Sequence, residues 1–437
     1  MTECRALSLE FASCQGRKVE ADFEGGEVSS DGGLLLLREV EGRLKMMKRA
    51  AEIIGDGRQA GKVRHSVESM VRQRVFSLAQ GYEDLNDQDE LRHDVLLQTA
   101  AGRSSALASA PTLCRLENKA DRHSAMALNN LLVDLFIESH TEAPKEIILD
   151  FDATDDPVHG RQEGRFFHGY YDRYCFLPLY VFCGSHPLLA WLRPANIDAS
   201  RGAWAALRWL VKRFRQAWPK VHIIWRGDSG FCRWRMLQWS ERHGIAYIVG
   251  LARNTRLTKM ASSLMEEAQD QWEESGKKAR KFSWIDYGAQ SWDRERRVIA
   301  KAEHSEKGSN PRFVLTSLEG EAQELYEKVY CARGDMENRI KEQQLGLFAD
   351  RTSAHAWWPN QFRLLLSTLA YVLIDALRRL ALQGTEWARK QASTLRVNLL
   401  KIGAVIIRNT RRVVVHLSSS WPGRDTFVLA HAKLRSG

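Results

Sequence analysis

The 437-residue sequence lacks the features that would mark a secreted, membrane-spanning or cysteine-stabilised protein. Its seven cysteines are scattered and form no Cys-x-x-Cys pair, which disfavours a disulfide framework or a zinc cluster and favours free thiols in a reducing cytosol. The stretch MTECRALSLEFASC has no long apolar run after a basic start, so it does not resemble a signal peptide. The longest apolar segment, 364–382, includes Asp375, Arg378 and Arg379, which favours an amphipathic core helix over a membrane span.

Acidic residues are outnumbered by basic ones. The chain has 64 Lys and Arg against 54 Asp and Glu, which gives a formal net charge of +10. This excess suits a polyanionic partner, such as nucleic acid or an anionic membrane. A hydrophobic fraction of 44% excludes wholesale disorder, and the length predicts two or three domains.

Residues 1–140 are predicted to form an all-helical N-terminal region. Ser66 can cap a helix whose apolar residues recur at helical spacing, and Arg72 and Arg74 lie beside that apolar stripe. A second helix with basic residues is predicted to begin at Thr112. Short helices with projecting basic residues suit DNA contacts, although solvated helix faces give the same pattern.

Residues 141–251 are predicted to form the first part of a mixed α/β sheet. Three consecutive strands are followed by alternating helices and strands, which is typical of a mixed sheet covered by helices. The predicted strands are Ile147–Asp152, Tyr174–Cys183, Leu188–Arg193, Val221–Trp225 and Ala246–Leu251. The predicted helices span 202–217 and 231–243.

The remaining chain divides into three predicted segments. Strand-forming stretches separated by charged residues continue through 252–328, which we interpret as a β-rich insertion. Helical spacing dominates 329–391, which is predicted to be the second part of the α/β core. The segment 392–437 is predicted to be a basic β-hairpin tail, with two strands joined by Asn-Thr.

One predicted strand ends in an unusual number of acids. The stretch EIILDFDATDDPVHG, residues 146–160, places Asp150 and Asp152 on the same face of a strand, because side chains alternate between faces. Asp155 and Asp156 follow the strand, and a turn rich in aspartate explains them without a functional role. We therefore expect one of the first two acids to project from the sheet as a ligand.

A second predicted strand also ends in an acid. In VHIIWRGDSGF, residues 221–231, Asp228 follows the strand, and its flanking glycines allow the backbone to turn sharply. Open α/β sheets place their sites at the carboxyl ends of strands. The two strand ends could therefore bring their carboxylates together.

A third cluster lies on a predicted helix. In YCARGDMENRIKEQQ, residues 330–344, helical spacing places Tyr330, Arg333, Glu337 and Lys341 along one face. A solvated polar face has the same spacing, but this set could also face a cleft that holds metal and phosphate. Carboxylates from distant parts of a chain are typical ligands of Mg²⁺ or Mn²⁺, and two such ions can activate a phosphodiester.

Together these blocks resemble the DDE transposases of bacterial insertion sequences, which carry a ribonuclease-H-like catalytic domain. The resemblance spans nearly the whole chain, and its motifs are specific jointly although each is weak alone. The catalytic-domain blocks are LDFDATDDPVHGRQ (149–162), HGYYDRYCFLPLYVF (168–182), RGDSGF (226–231) and Tyr-x-x-Arg-x-x-x-Glu (330–337). The N-terminal blocks are DGGLLLLREV (31–40), LAQGYEDLND (78–87) and LASAPTLCRLEN (107–118).

The resemblance implies a fold, a cofactor and a set of catalytic acids. The fold would be a ribonuclease-H-like mixed sheet with flanking helices. Asp152, Asp228 and Glu337 would be the catalytic residues and the ligands of two Mg²⁺ ions, for which Mn²⁺ could substitute. Asp150 is the alternative to Asp152 as the first acid.

The resemblance also implies contacts with DNA. Tyr330 and Arg333 would bind phosphate near the cut. The family often has a lysine seven residues after the glutamate, where this chain has Gln344, so Lys341 is a candidate for that role. Related transposases stack an insertion tryptophan on a flipped base; the candidates are Trp284 and Trp292, although core packing explains either one.

The implied function is cut-and-paste transposition of DNA in the bacterial cytoplasm, in association with the nucleoid. The partners would be the terminal inverted repeats, target DNA and a second copy of the chain, because two ends must be joined. Two alternatives remain at this stage. A ribonuclease-H-like nuclease would cut without strand transfer, and an inactive transposase relic would only bind DNA.

Overall fold

The computed structural model of the protein describes residues 8–436, and contacts along the chain divide it into two compact units. Unit 1 comprises the chain up to residue 120 together with 346–348 and the part from 369 onward. Unit 2 comprises 121–345 and 349–368. Of the N-terminal segment 1–14, residues 8–14 with Cys14 are described, whereas residues 1–7 with Cys4 lie outside the described part. The six cysteines within residues 8–436 are free thiols.

The strands and helices are as follows, numbered in chain order. The strands are β1 (Leu9–Cys14), β2 (Arg17–Ala21), β3 (Glu27–Ser29), β4 (Glu146–Ala153), β5 (Asp156–Pro157), β6 (Phe166–His168), β7 (Arg173–Phe176), β8 (Leu179–Cys183), β9 (His186–Trp191), β10 (His222–Gly227), β11 (Ala246–Leu251), β12 (Ala279–Tyr287), β13 (Arg296–Ser305), β14 (Gly308–Ser309), β15 (Arg312–Thr316), β16 (Ala404–Arg408) and β17 (Val413–Leu417). The helices are α1 (Leu34–Leu44), α2 (Met46–Ile54), α3 (Val67–Gln80), α4 (Asp87–Leu91), α5 (Val95–Ala100), α6 (Ala110–Glu117), α7 (Arg122–Glu138), α8 (Ala203–Ala217), α9 (Trp234–Arg242), α10 (Thr255–Met260), α11 (Ser262–Ser275), α12 (Ala322–Glu324), α13 (Gly334–Lys341), α14 (Trp357–Leu377), α15 (Ala392–Leu395) and α16 (Arg424–Ser436).

Unit 2 is built on a mixed sheet in which the strands follow the order β12-β13-β15-β11-β10-β4-β8-β9. Strands β4, β10 and β11 are parallel, whereas β8 and β9 form an antiparallel continuation of β4. Strands β4, β8 and β9 are thus antiparallel neighbours, and β10 and β11 extend the sheet parallel to β4. This order, with helices on the sheet faces, confirms the expected ribonuclease-H-like mixed α/β fold.

The sheet forms because its strands bury an apolar face. Leu149, Phe151, Ile223 and Trp225 are each buried in the same core cluster, in which the apolar side of α8 also packs. On α8 the buried residues recur at helical spacing, so the basic residues of this helix lie away from the core. The helix is therefore an amphipathic cover of the sheet, as its pattern predicts.

The predicted β-rich insertion differs from the structure in two respects. Its strands continue the central sheet, because β15 pairs with β11 and places Phe313 opposite Leu251. Its first part, 255–275, is helical. Helix α11 buries only Ala268 along its length, so its sequence carries little apolar periodicity from which a helix could be predicted.

Unit 1 is mainly helical in its described part, but it also contains strands that were not predicted. β1 and β2 form an antiparallel hairpin, and β3 pairs with β16. The predicted C-terminal hairpin is present as β16 and β17, and it is followed by the unpredicted helix α16.

Two other features of the N-terminal region differ from their prediction. Helix α7 belongs to unit 2, where the backbone N–H of Ala190 on β9 donates to the side-chain oxygen of Asn129 at 2.9 Å. The basic residues of α3 do not both project into solvent: Arg74 is buried and pairs with Glu117, and Arg72 pairs with Glu68. Arg74 therefore stabilises the helix packing and cannot contact DNA, whereas Arg72 is partly exposed in a salt bridge within the helix.

The long apolar segment forms most of α14, whose side chains are largely buried. Beyond its end, Arg379 forms a salt bridge with Asp375 at 2.9 Å. None of the helices formed by residues 8–436 combines the length and the apolar character that a membrane span requires.

Candidate active site

The predicted acids of β4 and β10 lie at the same edge of the sheet. The two strands are parallel and in register, with Arg226 opposite Asp150 and Gly227 opposite Phe151. Asp228 directly follows this pairing and is therefore level with Asp152. The carboxyl ends of neighbouring parallel strands thus present their acids side by side, as the sequence predicts.

Asp150 is engaged in a buried ion pair. Its two oxygens accept hydrogen bonds from Nε and Nη2 of Arg226 at 2.5 and 2.7 Å. The two residues are only 3% and 7% exposed, and Nη1 of Arg226 also donates to the carbonyl of Val329 at 2.6 Å. Burial raises the pKa of Asp150, and the hydrogen bonds from Arg226 oppose that rise. Because Arg226 binds both carboxylate oxygens, the role of Asp150 is to stabilise the fold through this ion pair.

Asp152, on the same strand, has no such bidentate partner. Its nearest cation is Arg333, whose Nη1 lies 4.0 Å from Oδ1. Burial raises the pKa of Asp152 to about 6, Arg333 opposes the rise, and the carboxylates of Asp228 and Glu337 add to it. Asp152 therefore lies close enough to Asp228 and Glu337 for their charges to act on it.

Asp228 is positioned by the turn that follows β10. Its Oδ1 accepts a hydrogen bond from the backbone N–H of Gly230 at 2.8 Å, which caps the short helical turn Ser229–Phe231. A side chain at Gly227 would place its Cβ 3.0 Å from Phe231, so the small residue is needed for this close turn. The second carboxylate oxygen makes no hydrogen bond within the described residues.

Glu337 lies on α13, and its side chain is 44% exposed. It forms a salt bridge with Nη2 of Arg333 at 2.8 Å. The preceding turns are irregular, because a wide turn at Leu325–Tyr330 and a tight turn at Cys331–Arg333 lead into the regular helix. The predicted single helix face is thus interrupted, but Arg333 and Glu337 remain neighbours one turn apart.

The other predicted residues of this segment have different surroundings. The hydroxyl of Tyr330 lies against the sheet, where a Cβ added at Gly250 would come within 2.7 Å of it. Lys341 is exposed at the end of α13, and within residues 8–436 it forms no salt bridge. Gln344 donates from Nε2 to the carbonyl oxygen of Asp155 at 2.9 Å, which ties this helical segment to the loop after β4.

Of the two acids assigned to a turn, Asp156 has an unexpected environment. It is 1% exposed, and neither of its carboxylate oxygens has a hydrogen-bond partner within the described residues. Burial, together with the charge of Asp350, raises its pKa well above the usual value. Asp156 is therefore a buried acid in β5 whose environment favours the protonated form, and its sequence position alone did not indicate this.

The candidate tryptophans are both partly buried. Trp284 packs beside the cluster that includes Ile248 and Ile299, and its ring lies 3.9 Å from the guanidinium of Arg297. Trp292 packs edge-on against Tyr287, with ring centroids 5.6 Å apart. Both arrangements favour core packing over a free stacking surface.

The donor set fits a hard divalent cation in its chemistry, since carboxylate oxygens are the preferred ligands of Mg²⁺. Among residues 8–436, no three acidic, histidine or cysteine side chains lie close enough to ligate one ion directly. The guanidinium of Arg333 lies between Asp152 and Glu337 and neutralises part of their charge. Ligation by all three acids therefore requires the Arg333–Glu337 salt bridge to open.

A mixed sheet that delivers two acids at its carboxyl edge, with a glutamate from a later helix, is the arrangement of the ribonuclease-H-like nucleases and transposases. The family model described as "Transposase DDE domain group 1" matches residues 11–436. The chain therefore belongs to this family and is a DDE transposase, which confirms the class that the motifs indicated.

Other comparisons add a distant structural likeness. The piggyBac transposase, solved by cryo-EM as a synaptic complex with hairpin DNA, is similar to this chain with a TM-score of 0.43 and 12% sequence identity. The likeness covers 84% of this chain and 79% of that one. No curated protein sequence is significantly similar to this chain.

Proposed function

We propose that this enzyme is a cut-and-paste transposase, which cleaves DNA at the ends of an insertion sequence and joins the freed 3′ ends to target DNA. The observation that carries this proposal is geometric: Asp228 is level with Asp152 at one edge of the sheet, and Arg333 lies 4.0 Å from Asp152 and 2.8 Å from Glu337. Asp150, the alternative first acid, is bound by Arg226, which favours Asp152 as the ligand.

Asp152, Asp228 and Glu337 would hold two Mg²⁺ ions, or Mn²⁺ in their place. When bound, such ions supply activation of the attacking oxygen and stabilisation of the leaving oxygen. Asp152 must be ionised to act as a ligand, and because its pKa is raised to about 6, mild acidity should protonate it and weaken metal binding. The closeness of three acids costs free energy until positive charge is present between them.

Arg333 has a second part in this proposal. In the structure it pairs with Glu337 and lies near Asp152. Once Glu337 is used as a ligand, the guanidinium is free to bind two oxygens of a substrate phosphate, for which its planar geometry is suited. Tyr330 would donate from its hydroxyl to the same phosphate, and Lys341 would contact a neighbouring one.

The reaction would proceed by successive attacks on phosphodiesters. Water would first cleave one strand at each end and leave a 3′ hydroxyl. That hydroxyl would attack the opposite strand, with a hairpin as the product implied by the family resemblance, and later a phosphodiester of target DNA. In each step the attacking oxygen forms one P–O bond while the leaving oxygen takes up the negative charge of the bond that breaks.

The proposed partners follow from this chemistry. Double-stranded DNA would be bound at the terminal inverted repeats, for which unit 1 is the candidate region, and at the target. The net charge of +10 favours binding that weakens steeply with salt. Two protomers would act together on two ends, in the bacterial cytoplasm at the nucleoid.

The test uses purified protein, a duplex that carries one end of the element, and Mn²⁺. We expect cleavage at the end and a joined product with target DNA. Asp228→Asn should abolish both while DNA binding remains, whereas the matched variant Asp286→Asn, which changes an exposed acid on β12, should retain both. Cleavage without joining would support a nuclease, and binding without cleavage by the unmutated protein would support an inactive relic.

A further inference from the structure

A cleft of about 580 Å³ is lined by Asp228 but by neither Asp152 nor Glu337. Its lining includes Arg253, Arg312 and Arg333, together with Tyr326 and Tyr330. Asp228 is the one carboxylate among the described residues that line it. The family motifs quoted above account for Tyr330 and Arg333 but not for Arg253 or Arg312, and the proposed chemistry does not use them.

The sheet topology explains why the two arginines lie here. Strand β11 runs parallel to β10, so Arg253, two residues beyond its end, lies at the same edge as Asp228. Strand β15 is antiparallel to β11 and begins at Arg312, and Phe313 pairs with Leu251, so Arg312 also lies at this edge. With neighbouring strands about 5 Å apart, β15 lies roughly 10 Å from β10. The edge is thus acidic at β4 and β10 and basic at β11 and β15.

Both arginines are available to an anion. They are exposed, and within residues 8–436 neither one forms a salt bridge. Other arginines of the sheet are paired, as Arg226 is with Asp150 and Arg296 is with Glu241. Two unpaired guanidinium groups that face one cleft repel each other and attract an anionic ligand that bridges them.

The lining of the cleft also includes two tyrosine rings and a sterically restricted glycine. The rings of Tyr326 and Tyr330 lie 5.6 Å apart, centroid to centroid. Gly250, on β11, leaves room for the Tyr330 hydroxyl, which a Cβ at that position would approach to 2.7 Å. A cleft lined by arginines and tyrosines suits a nucleic-acid strand, because the cations can bind its phosphates and the rings can contact its sugars or bases.

We infer that this cleft binds the DNA strand next to the cleavage site, with Arg253 and Arg312 contacting its phosphates. The inference rests on the proposed function, since it takes the scissile phosphate to lie at Asp228. A strand bound there must leave the site along the sheet edge, and the basic strand ends offer it a continuous path. The ligand chemistry is a phosphodiester backbone, with at least two consecutive contacts.

The test compares the double variant Arg253→Gln/Arg312→Gln with a charge-matched control. The control is Lys220→Gln/Arg242→Gln, which removes two exposed cations that precede β10 and β11 at the opposite edge of the same sheet. Binding of a fluorescent end-bearing duplex is measured over a range of salt concentrations without divalent metal. Loss of two phosphate contacts should lower the slope of log K against log salt by about 1.8, whereas the control should keep the slope of the unmutated protein.

A second measurement locates the contact. Neutral methylphosphonates replace the phosphates on one side of the cleavage site, then on the other. On the side of the cleavage site that the cleft binds, the methylphosphonates should weaken DNA binding by the unmutated protein at least 10-fold. They should leave DNA binding by the double variant unchanged. Equal slope losses in both double variants, or a methylphosphonate effect that persists in the arginine variant, would overturn the inference.

The cleavage assay and the two binding measurements distinguish failure of the proposed function from failure of this inference. If the unmutated protein does not cleave the duplex with Mn²⁺ but the slope and methylphosphonate differences are present, the cleft still binds DNA and only the catalytic proposal is lost. If cleavage and joining occur while the arginine variant matches its control in both binding measurements, the function stands and this inference fails.

Discussion

Asp150 and Asp152 are neighbours on one strand face, and we predict that their conversion to asparagine changes stability in opposite directions. Asp150→Asn leaves the buried guanidinium of Arg226 without its charged partner, although the carbonyl of Val329 remains as an acceptor. Removing one member of a buried ion pair costs about 3–5 kcal/mol. Because asparagine can still accept one hydrogen bond, we expect a loss near 3 kcal/mol.

Asp152→Asn should stabilise the metal-free protein. The pKa of Asp152 is raised from its usual 3.8 to about 6, so keeping this largely buried carboxylate ionised at pH 7.5 costs roughly 3 kcal/mol. A neutral amide avoids that cost but still has to be desolvated, which leaves an expected gain of about 1–2 kcal/mol. The same variant should lose activity, whereas a stable fraction of Asp150→Asn should retain some.

The assay is urea unfolding in EDTA at pH 7.5, followed by intrinsic fluorescence, with Mn²⁺ binding measured on each folded variant. The protein has two units, so the transitions are fitted separately and the one assigned to unit 2 is compared. Unchanged stability of Asp150→Asn, together with a loss of Mn²⁺ affinity, would refute the reasoning. In that case Asp150 would be the metal ligand and Asp152 the structural acid.

Three further predictions concern other positions. Burial raises the pKa of Glu41 to about 7, so the folded protein keeps a proton that the unfolded chain releases above about pH 4.5. The free energy of unfolding of unit 1 should therefore fall by about 3 kcal/mol between pH 5 and 8. Glu41→Gln should remove this pH dependence. Gly250→Ala should displace the Tyr330 hydroxyl and the backbone at Asp228 and Ser229, because its Cβ would come within 2.7 Å of the hydroxyl and 2.8 Å of the Ser229 nitrogen. The cleavage rate should fall about 10- to 100-fold, measured by single-turnover cleavage. Gln344→Ala removes the hydrogen bond to Asp155 and should cost about 1 kcal/mol in unit 2, measured by urea unfolding.

Each of these has a control or an opposing outcome. A pH dependence of unit 1 that persists in Glu41→Gln would show that other groups cause it. For the glycine variant, Gly42→Ala is the matched control, since a Cβ at Gly42 meets no atom within 4 Å, and equal activity of both variants would contradict the steric argument. Full stability of Gln344→Ala would indicate that water replaces the side chain at the Asp155 carbonyl.

Much of the fold could be predicted from local pattern. Apolar stretches such as 147–149 and 223–225 predict buried strands, and the order of strands and helices indicates a mixed sheet. The acids Asp152 and Asp228 could be predicted at a common edge because the ends of parallel strands coincide. These features depend on the alternation of residues and on the order of elements along the chain, and both can be read from one segment without knowing which other segment it contacts.

Pairing between distant segments decided which acid is free to bind metal and where the strands of 252–328 lie. Asp150 and Asp152 are equivalent by alternation, and only the register of β4 with β10 places Arg226 against the first and leaves the second near Arg333. Likewise, 252–328 resembles an insertion until β15 pairs with β11, which continues the sheet and brings Arg312 beside Arg253. Register, burial and charge pairing are properties of two segments at once, so no single stretch of residues could specify them.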